Sequence, residues 1–335
     1  MEPKSILIIS DAYPPQLNGV ATTMKNTEEE LRNMGYLVEV IHPEMDMFNY
    51  KITIQESTKI TMPIFVYGSL KSIIEAYPEC YIHISTEGML GVNARIICEK
   101  LHLPYSTSFH TKFPEYARIH LKIPESLTWQ YFKWFHKNSR AVLTNSAIMK
   151  EDLESHGIEN VKVWSKGIDS SIFYANGAPT FHKPRLVYSG RVSKEKNIEN
   201  FLRLGFDDHE KVVIGDGPDL EYLKKRYPET VFTGALNQTE LANYLRKSSV
   251  FVFPSMTDTF GLVMIEAMAC GLPVACFEND ATRNIIKNGY NGWMGPDLCS
   301  SISHCLYIPQ EGAIETSKQF TWRKATEQFL EGIKA

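Results

Sequence analysis

Short runs of β-branched and other apolar residues alternate with helix-forming segments along almost the whole chain, and this alternation is what most restricts its fold. The runs that predict strands fall at residues 6–10, 37–41, 81–85 and 105–109, and again at 185–189, 211–214, 231–233, 250–253 and 274–277. Strands that are apolar on both faces and separated by helices form parallel sheets covered by helices. Two such series in 335 residues predict an α/β protein of two Rossmann-like, doubly wound domains.

The joint between the two series is predicted at residues 170–183, which show no periodicity and contain Gly177 and Pro179. The expected domains are residues 1–171 and 172–319. Beyond them, Trp322, Ala325 and Phe329 fall on one face of a predicted C-terminal helix over residues 320–335. This helix can pack on either domain, and it completes the first domain if it returns there.

Composition narrows the class of protein. The chain has 35 basic and 39 acidic residues and a net charge of −4, so no overall positive charge indicates a nucleic-acid partner. No stretch reaches the roughly 18 uncharged apolar residues of a membrane span, and the apolar run at 6–9 is too short for a secretion signal. The six cysteines form no C-x-x-C pair and the histidines lack zinc spacing, which predicts reduced thiols in a cytoplasmic protein without a metal.

Ligands of open α/β sheets bind beyond the carboxyl ends of the strands, so the loops there hold the candidate residues. After the first strand, Gly19 and Val20 open a helix whose N–H groups can approach an anion closely. The alternative is a proline-rich turn that needs only the conformational freedom of glycine. The loop is not G-x-G-x-x-G and no acidic residue ends the second strand, which argues against NAD.

The strand at 185–189 leads into a second candidate loop. Gly190 ends this strand, and Arg191 and Lys196 lie on either side of the next helix start, where two cations suit a diphosphate. The alternative is a solvated basic loop. The next strand ends in Gly215 and Gly217, a turn found in nucleotide-binding halves and in many other α/β loops.

The strongest local pattern is a loop containing Asp258 that runs into an apolar helix containing Glu266. A carboxylate among apolar residues is costly unless it is paired or bonded to a ligand, and ribose hydroxyls would satisfy Glu266. Asp258 lies just before the helix, where it can reach sugar hydroxyls. The alternative is a helix cap at Asp258 and a salt bridge at Glu266.

One histidine has a distinctive position. His110 directly follows the strand at 105–109, so it lies at a carboxyl end and faces the predicted cleft between the domains. A lone histidine is more often structural. At this position, a structural role and a catalytic or substrate-contact role are equal alternatives.

With these motifs in place, the chain resembles the GT-B-fold retaining glycosyltransferases of glycosyltransferase family 4, or "glycosyl transferases group 1". The likeness extends over nearly the whole chain and is nearest to proteins described as GDP-mannose-dependent α-mannosyltransferases. It rests on Asp11…Asn18-Gly19-Val20, His110-Thr111…Pro114…Tyr116, Trp164-Ser-Lys-Gly167-Ile-Asp169, Gly190-Arg191…Glu195-Lys196-Asn197, Gly215-Asp216-Gly217-Pro218 and Asp258-Thr-Phe-Gly-Leu262…Glu266. Lys166 stands where such proteins often have Arg, and Asp258 replaces the commoner Glu.

The resemblance implies a role for each candidate. Glu266 binds the donor ribose, and Asp258 holds hydroxyls of the donor sugar. Arg191 and Lys196 neutralise the departing diphosphate, Gly19 lets its loop close on that group, and His110 contacts the hexose. Backbone N–H groups that contact the sugar and diphosphate come from Phe260, Gly261, Leu262 and Val263, and Thr259 also belongs to the nucleotide-sugar-binding residues.

The implied reaction moves a hexose from a GDP- or UDP-sugar to a hydroxyl of a glycan or lipid-linked acceptor. Mannose is favoured over glucose or another sugar, the anomeric configuration is retained, and no metal is expected. A nucleotide-sugar 2-epimerase of the same fold and a non-catalytic nucleotide-sugar-binding protein are the alternatives. Residues 121–137 mix five aromatic residues with three lysines, which fits a core helix with a basic edge or a peripheral contact with a membrane.

Overall fold

A computed structural model describes residues 5–16, 18–48, 50–55, 60–110, 113–116, 118, 122–177, 183–206, 208–256, 258 and 260–335. The chain forms two compact units. The first unit consists of Met1–Lys166 and Trp322–Ala335, and the second consists of Gly167–Thr321.

The strands of the first unit are β1 Ser5–Ile9, β2 Leu37–Ile41, β3 Lys51–Gln55, β4 Ile60–Pro63, β5 Tyr81–Ile84, β6 Tyr105–Phe109, β7 Val142–Thr144 and β8 Val161–Val163. This α/β unit has a six-stranded parallel sheet in the order β2-β1-β5-β6-β7-β8. Its helices are α1 Gly19–Asn33, α2 Tyr67–Ala76, α3 Met89–Lys100, α4 Phe113–Tyr116, α5 Glu125–His136, α6 Ala147–Ser155 and, at the end of the chain, α14 Trp322–Lys334. Strands β3 and β4 form a separate antiparallel hairpin.

The strands of the second unit are β9 Arg185–Ser189, β10 Glu210–Ile214, β11 Val231–Gly234, β12 Val250–Phe253, β13 Val274–Cys276 and β14 Gly292–Met294. They form a six-stranded parallel sheet in the order β11-β10-β9-β12-β13-β14. Its helices are α7 Ile198–Leu202, α8 Leu220–Arg226, α9 Gln238–Arg246, α10 Leu262–Ala269, α11 Asp280–Ile285, α12 Leu298–Cys305 and α13 Gln310–Ser317. This is the 3-2-1-4-5-6 order of a dinucleotide-binding sheet, with the strand order reversing at β9 and β12.

Both sheets bury apolar side chains on both faces, because successive residues of a strand point to opposite sides. In β1, Leu7 and Ile9 pack in the cluster that holds α3, whereas Ile6 and Ile8 pack in the cluster that holds α14. The two core layers of each unit therefore lie above and below its sheet.

The predicted α/β class and the parallel sheets are confirmed. Each strand predicted from the sequence is present, and its bounds differ by at most one residue from those expected. Helix α1 begins at Gly19, where the Asn18 side chain accepts hydrogen bonds from the N–H groups of Val20 and Ala21.

The boundary between the units lies after Lys166, earlier than the expected position after residue 171. The reason is a backbone contact inside the second unit. Ile168 forms a parallel β-bridge with Thr321, and its N–H donates to the carbonyl of Phe320 at 2.9 Å. The chain thus enters the second unit beside the point where it leaves, and α14 that follows belongs to the first unit.

Candidate active site

The candidate residues of the second unit lie in the loops that follow β9, β10 and β12. Strands β9 and β12 are neighbours, and their connections leave in opposite directions across the sheet. The loops beyond their carboxyl ends therefore separate and leave a crevice, which is where open α/β sheets bind ligands. Lys196 follows β9 and Asp258 follows β12, so both lie at this reversal.

Lys196 and Asp258 form an ion pair across the reversal. Lys196 Nζ donates to Asp258 Oδ1 at 2.6 Å, and about a quarter of each side chain is exposed. The other carboxylate oxygen, Oδ2, is buried and accepts no hydrogen bond from the residues that the structure describes. Asn197 ties the same two loops together through a 3.1 Å hydrogen bond from Nδ2 to the carbonyl of Pro254. The pair is thus held in place and still has an acceptor to offer.

The glycines after β9 and β10 allow the two loops to pack backbone against backbone. A Cβ at Gly215 would lie 1.9 Å from the carbonyl oxygen of Gly190, and one at Gly217 would lie 2.2 Å from that of Val192. Gly215 has a φ of +133° and Gly190 a φ of +148°, both in the region that favours glycine. No side chain fits at these positions, so the glycines set the shape of the crevice wall.

Arg191 points its charge into solvent at the edge of this loop. Its side chain is exposed and forms no ion pair or hydrogen bond with the described part of the chain. Ser193 Oγ donates to Glu195 Oε1 at 2.6 Å, and this bond together with Arg191 and Lys196 lowers the pKa of Glu195, against the effect of burial. The loop is therefore cationic, with Arg191 available to an anion.

Helix α10 begins at the other side of the reversal. Its N-cap, Gly261, has a φ of +71°, and Phe260 before it is buried against Phe320. Leu262 and Val263 form the first turn, whose N–H groups have no intrahelical acceptors. Thr259, predicted to bind the nucleotide sugar, lies outside the described residues.

Glu266 lies in the middle of α10, one turn after those N–H groups. Burial raises the pKa of its carboxyl to about 7, because no positive group compensates for the lost water. The described residues form no ion pair or hydrogen bond with this carboxylate, so the salt bridge considered as an alternative is not formed among them. A carboxyl in this state is suited to accept hydrogen bonds from a ligand.

The candidate residues of the first unit gather at the start of α1. Gly19 is the first residue of this helix, and a Cβ there would lie 3.9 Å from Lys166 Nζ. Burial lowers the pKa of Lys166. Lys166 was identified in the sequence only as a replacement for Arg, and its proximity to Gly19 became visible from the fold.

His110 follows β6 in the same unit. Its Nε2 lies 3.2 Å from Ser85 Oγ, and its ring lies against Trp164 with centroids 5.6 Å apart. Burial and the neighbouring Lys166 lower its pKa to about 3. His110 is therefore a neutral imidazole at physiological pH.

Asp11 has a role that its motif did not reveal. Its carboxylate accepts hydrogen bonds from Leu90 N at 2.8 Å and from Thr86 Oγ1 at 2.8 Å, at the start of α3. A Cβ at Gly88 would lie 2.5 Å from Asp11 Cγ. Burial raises the pKa of Asp11, while the hydrogen bonds lower it. Asp11 thus joins the loop after β1 to α3 beside the loop that contains Gly19.

The described residues contain neither a metal-binding cluster nor a membrane-spanning helix. No group of three or more His, Cys, Asp or Glu residues within the described ranges is arranged to hold a metal ion. In the same ranges, no helix combines the length and the apolar character that crossing a bilayer requires.

Comparisons of the chain with known proteins identify the family to which its two halves are similar. Residues 17–172 match the family described as Glycosyltransferase Family 4, and residues 178–298 match Glycosyl transferases group 1. A GDP-mannose-dependent alpha-mannosyltransferase of Corynebacterium glutamicum is 27% identical over 87% of this chain and 76% of its own. A sulfoquinovosyl transferase of Arabidopsis thaliana is 27% identical over 98% of this chain and 73% of its own.

A solved structure shows the same fold. A glycosyltransferase from Rickettsia africae superposes with a TM-score of 0.76, at 16% identity, over all of this chain and 98% of that one. The two matched domains succeed each other along the chain, as the two α/β units do. The chain therefore belongs to the GT-B-fold glycosyltransferases that combine a family 4 domain with a group 1 domain.

Proposed function

We propose that this glycosyltransferase moves a hexose, with mannose favoured, from a GDP-sugar to a hydroxyl of a glycan or lipid-linked acceptor. The proposal includes retention of the anomeric configuration and independence of metal ions. The observation that carries it is the pairing of Lys196 with Asp258 where the strand order of the second unit reverses. The Corynebacterium relative, named for GDP-mannose, supports the choice of donor.

The donor nucleotide is assigned to the second unit. Glu266 accepts hydrogen bonds from the ribose hydroxyls, which replace the water its carboxylate has lost. Gly190, Gly215 and Gly217 let the nucleotide approach the backbone of the loops after β9 and β10. The free lone pairs of Asp258 Oδ2 are available to hydroxyls of the sugar.

The departing diphosphate is stabilised by fixed positive groups. Cleavage of the anomeric C–O bond places negative charge on the diphosphate and positive charge on the sugar ring. Lys196, held by Asp258, and the N–H groups at the start of α10 are already in place when that charge develops, so little reorganisation is needed, and the exposed Arg191 adds a second cation from the same loop. Cations and dipoles so placed can do the work that Mg²⁺ does in other transferases.

The first unit is assigned the contacts to the other reacting groups. The N–H group of Gly19 at the start of α1 can bond to an anionic part of a substrate, whereas the N–H groups of Val20 and Ala21 are bonded to the Asn18 side chain. His110, as a neutral imidazole, can accept or donate a hydrogen bond to a sugar hydroxyl without adding a charge.

We further propose that α5 touches an anionic bilayer when the acceptor is a lipid. Leu127, Tyr131 and Trp134 are exposed at i, i+4 and i+7 along one stripe, and Lys133 and Lys137 lie near it. Residue 121, the first of the predicted stretch, is outside the described residues. Cosedimentation with anionic vesicles should fall for Trp134→Ser and stay unchanged for Tyr307→Ser, which removes an exposed aromatic of the second unit. Equal binding of the two variants would contradict the membrane contact.

A donor panel tests the proposed reaction. GDP-mannose should raise the melting temperature more than UDP- and ADP-sugars, because a ligand of the native state stabilises it by mass action. NMR of the incubated donor should then show an α-glycoside in the presence of acceptor, and EDTA should not change the rate. An epimerised donor without acceptor would instead indicate a 2-epimerase, and binding without turnover would indicate a binding protein. Loss of activity with EDTA would contradict metal independence.

A further inference from the structure

Asn145 and Trp164 are among the buried side chains of the first unit whose polar atoms the described residues do not satisfy. Neither the oxygen nor the nitrogen of the Asn145 amide has a hydrogen-bond partner within the described ranges, although the residue is only 4% exposed. Trp164 Nε1 is likewise buried and without an acceptor there. Each unsatisfied buried polar group lowers the stability of the fold, so a protein retains such groups when something else bonds to them.

Both side chains lie at the carboxyl edge of the sheet. Thr144 pairs with Phe109 on β6 and with Val163 on β8, so the next residues along the three strands are His110, Asn145 and Trp164. Leu143 packs against Gly332 of α14, and alternation along the strand places Asn145 on that same face. The rings of Trp164 and His110 are in contact on this face. Asn145 is thus placed between a predicted substrate contact and a second unsatisfied donor.

A cation and a helix start complete the cluster. Lys166 Nζ lies 3.9 Å from the Cβ position of Gly19, the first residue of the 15-residue helix α1. It also acts electrostatically on His110, so it lies near that ring. Lys166 is half-buried, and this burial lowers its pKa. An anion at the start of α1 would meet both the ammonium group and the N–H group of Gly19, the Asn18 side chain already accepting from Val20 and Ala21.

Structural roles explain the positions of these residues but not their unsatisfied atoms. Ser146, and not Asn145, caps α6 with its side chain. The Trp164 ring packs against Phe329 of α14, which would hold equally with an apolar residue of that size. A ligand with hydroxyl groups would satisfy the Asn145 amide and the Trp164 indole, and a negatively charged group on that ligand would lie beside the Lys166 ammonium.

We propose that Asn145, Trp164 Nε1 and Lys166 form a substrate subsite on the first unit for a phosphorylated polyhydroxyl group. Lys166 binds the phosphoryl oxygens at the start of α1, and Asn145 and Trp164 bond the hydroxyl groups. The inference rests on the proposed function, because the phosphorylated group is either the sugar phosphate part of the donor or a phosphorylated acceptor. Both sources share the chemistry that these residues recognise.

The first test compares two buried asparagines. Asn145→Leu should raise the melting temperature of the ligand-free protein by about 2–4 °C, because it removes an unsatisfied amide. Asn291→Leu should lower it, because Nδ2 of Asn291 donates to Ile285 O and Thr316 Oγ1. Asn145→Leu should also lose the thermal shift that mannose 1-phosphate or glycerol 3-phosphate gives to the wild type. A lower melting temperature with the thermal shift retained would show a structural asparagine and overturn the subsite.

The second test concerns the charge. Lys166→Met should raise the KM of one substrate about tenfold or more, and Lys166→Arg should recover most of the loss. Lys162→Met, at an exposed position on β8, is the matched control and should change nothing. A raised KM for the nucleotide sugar identifies the donor as the source of the phosphoryl group, whereas a raised acceptor KM identifies the acceptor. Unchanged KM values for both substrates would overturn the subsite.

The two proposals fail in different ways. If the wild type consumes no donor with any acceptor, the proposed transfer fails. The thermal shifts given by mannose 1-phosphate and glycerol 3-phosphate then still test whether the subsite exists. If the wild type transfers hexose and Asn145→Leu does so with the same KM values and the same thermal shifts, the subsite fails and the transfer stands.

Discussion

Lys196 Nζ lies 2.6 Å from Asp258 Oδ1, and the two residues come from loops that follow neighbouring strands of the second unit. A partly exposed pair of this kind contributes at most about 1 kcal/mol to stability, so a ligand can replace either partner at little cost. The pair therefore holds a cation and a carboxylate together at the strand reversal, where we propose that the sugar diphosphate binds. In the free protein each charge serves as counter-ion to the other.

Replacing Lys196 should separate function from stability. We expect Lys196→Ala to lower kcat about 10²–10³-fold, because a fixed charge facing the leaving group is lost. The melting temperature should change by no more than a few degrees, because the pair is partly exposed. Lys194→Ala, an exposed lysine of the same loop, is the control and should keep full activity. Equal rates for the two variants would remove Lys196 from the mechanism.

The raised pKa of Glu266 predicts how stability depends on pH. Between pH 4.5 and about 7 the native state holds a proton that the unfolded state has released, so stability should fall as the pH rises through this window. Above it, the buried carboxylate costs on the order of 3 kcal/mol. Urea unfolding of Glu266→Gln should show a smaller decline and greater stability at pH 8, together with weaker nucleotide binding. Parallel pH profiles of wild type and variant would contradict the assigned pKa.

The backbone contact between the loops after β9 and β10 predicts that Gly215 cannot be replaced by a residue with a side chain. Gly215→Ala should destabilise the protein by several kcal/mol and abolish nucleotide binding, because its Cβ would lie 1.9 Å from a backbone oxygen at a φ of +133°. Gly205→Ala is the matched control, since nothing lies within 4 Å of its Cβ position. Thermal unfolding measures both effects. A stable Gly215→Ala protein that still binds nucleotide would show that the loops are not fixed by this contact.

The lowered pKa of His110 predicts the shape of a pH–rate profile. With a pKa of about 3 the imidazole stays neutral between pH 5 and 8, so its protonation should give no inflection there. His110→Gln keeps a neutral hydrogen-bonding side chain, and we expect about a tenfold loss of kcat/KM that is the same at every pH of this range. A wild-type inflection near pH 6.5 that disappears in the variant would show that His110 titrates during turnover.

The fold was largely predictable from the sequence. Strands such as Val250–Phe253 are buried on both faces, so a continuous apolar run identifies them without help from other elements. Strands β7, β8 and β14, each of three residues, were not predicted, whereas β13 of the same length was, because its apolar run continues to Phe277. The hairpin of β3 and β4 was missed as well, since Lys51 and Ile52 at its start are exposed.

The candidate site was predictable where a single loop carries the chemistry. Glu266 was identified because a carboxylate in an apolar helix has to be explained, and Asp258 because it precedes that helix. The contact of Asp258 with Lys196 could not be predicted, since it depends on which strands are neighbours. Asn145 and Lys166 were missed as site residues for a related reason, because only the register of β6, β7 and β8 places them beside His110.

The most direct measurement is a calorimetric titration of GDP into the wild type and three variants in the presence of EDTA. The account predicts binding to the wild type and to Lys194→Ala, and at least tenfold weaker binding to Lys196→Ala and Glu266→Gln. If the wild type bound neither GDP nor, in a parallel titration, UDP, the assignment of the donor to the strand reversal of the second unit would be contradicted. Equal GDP affinity in all four proteins would contradict it as well.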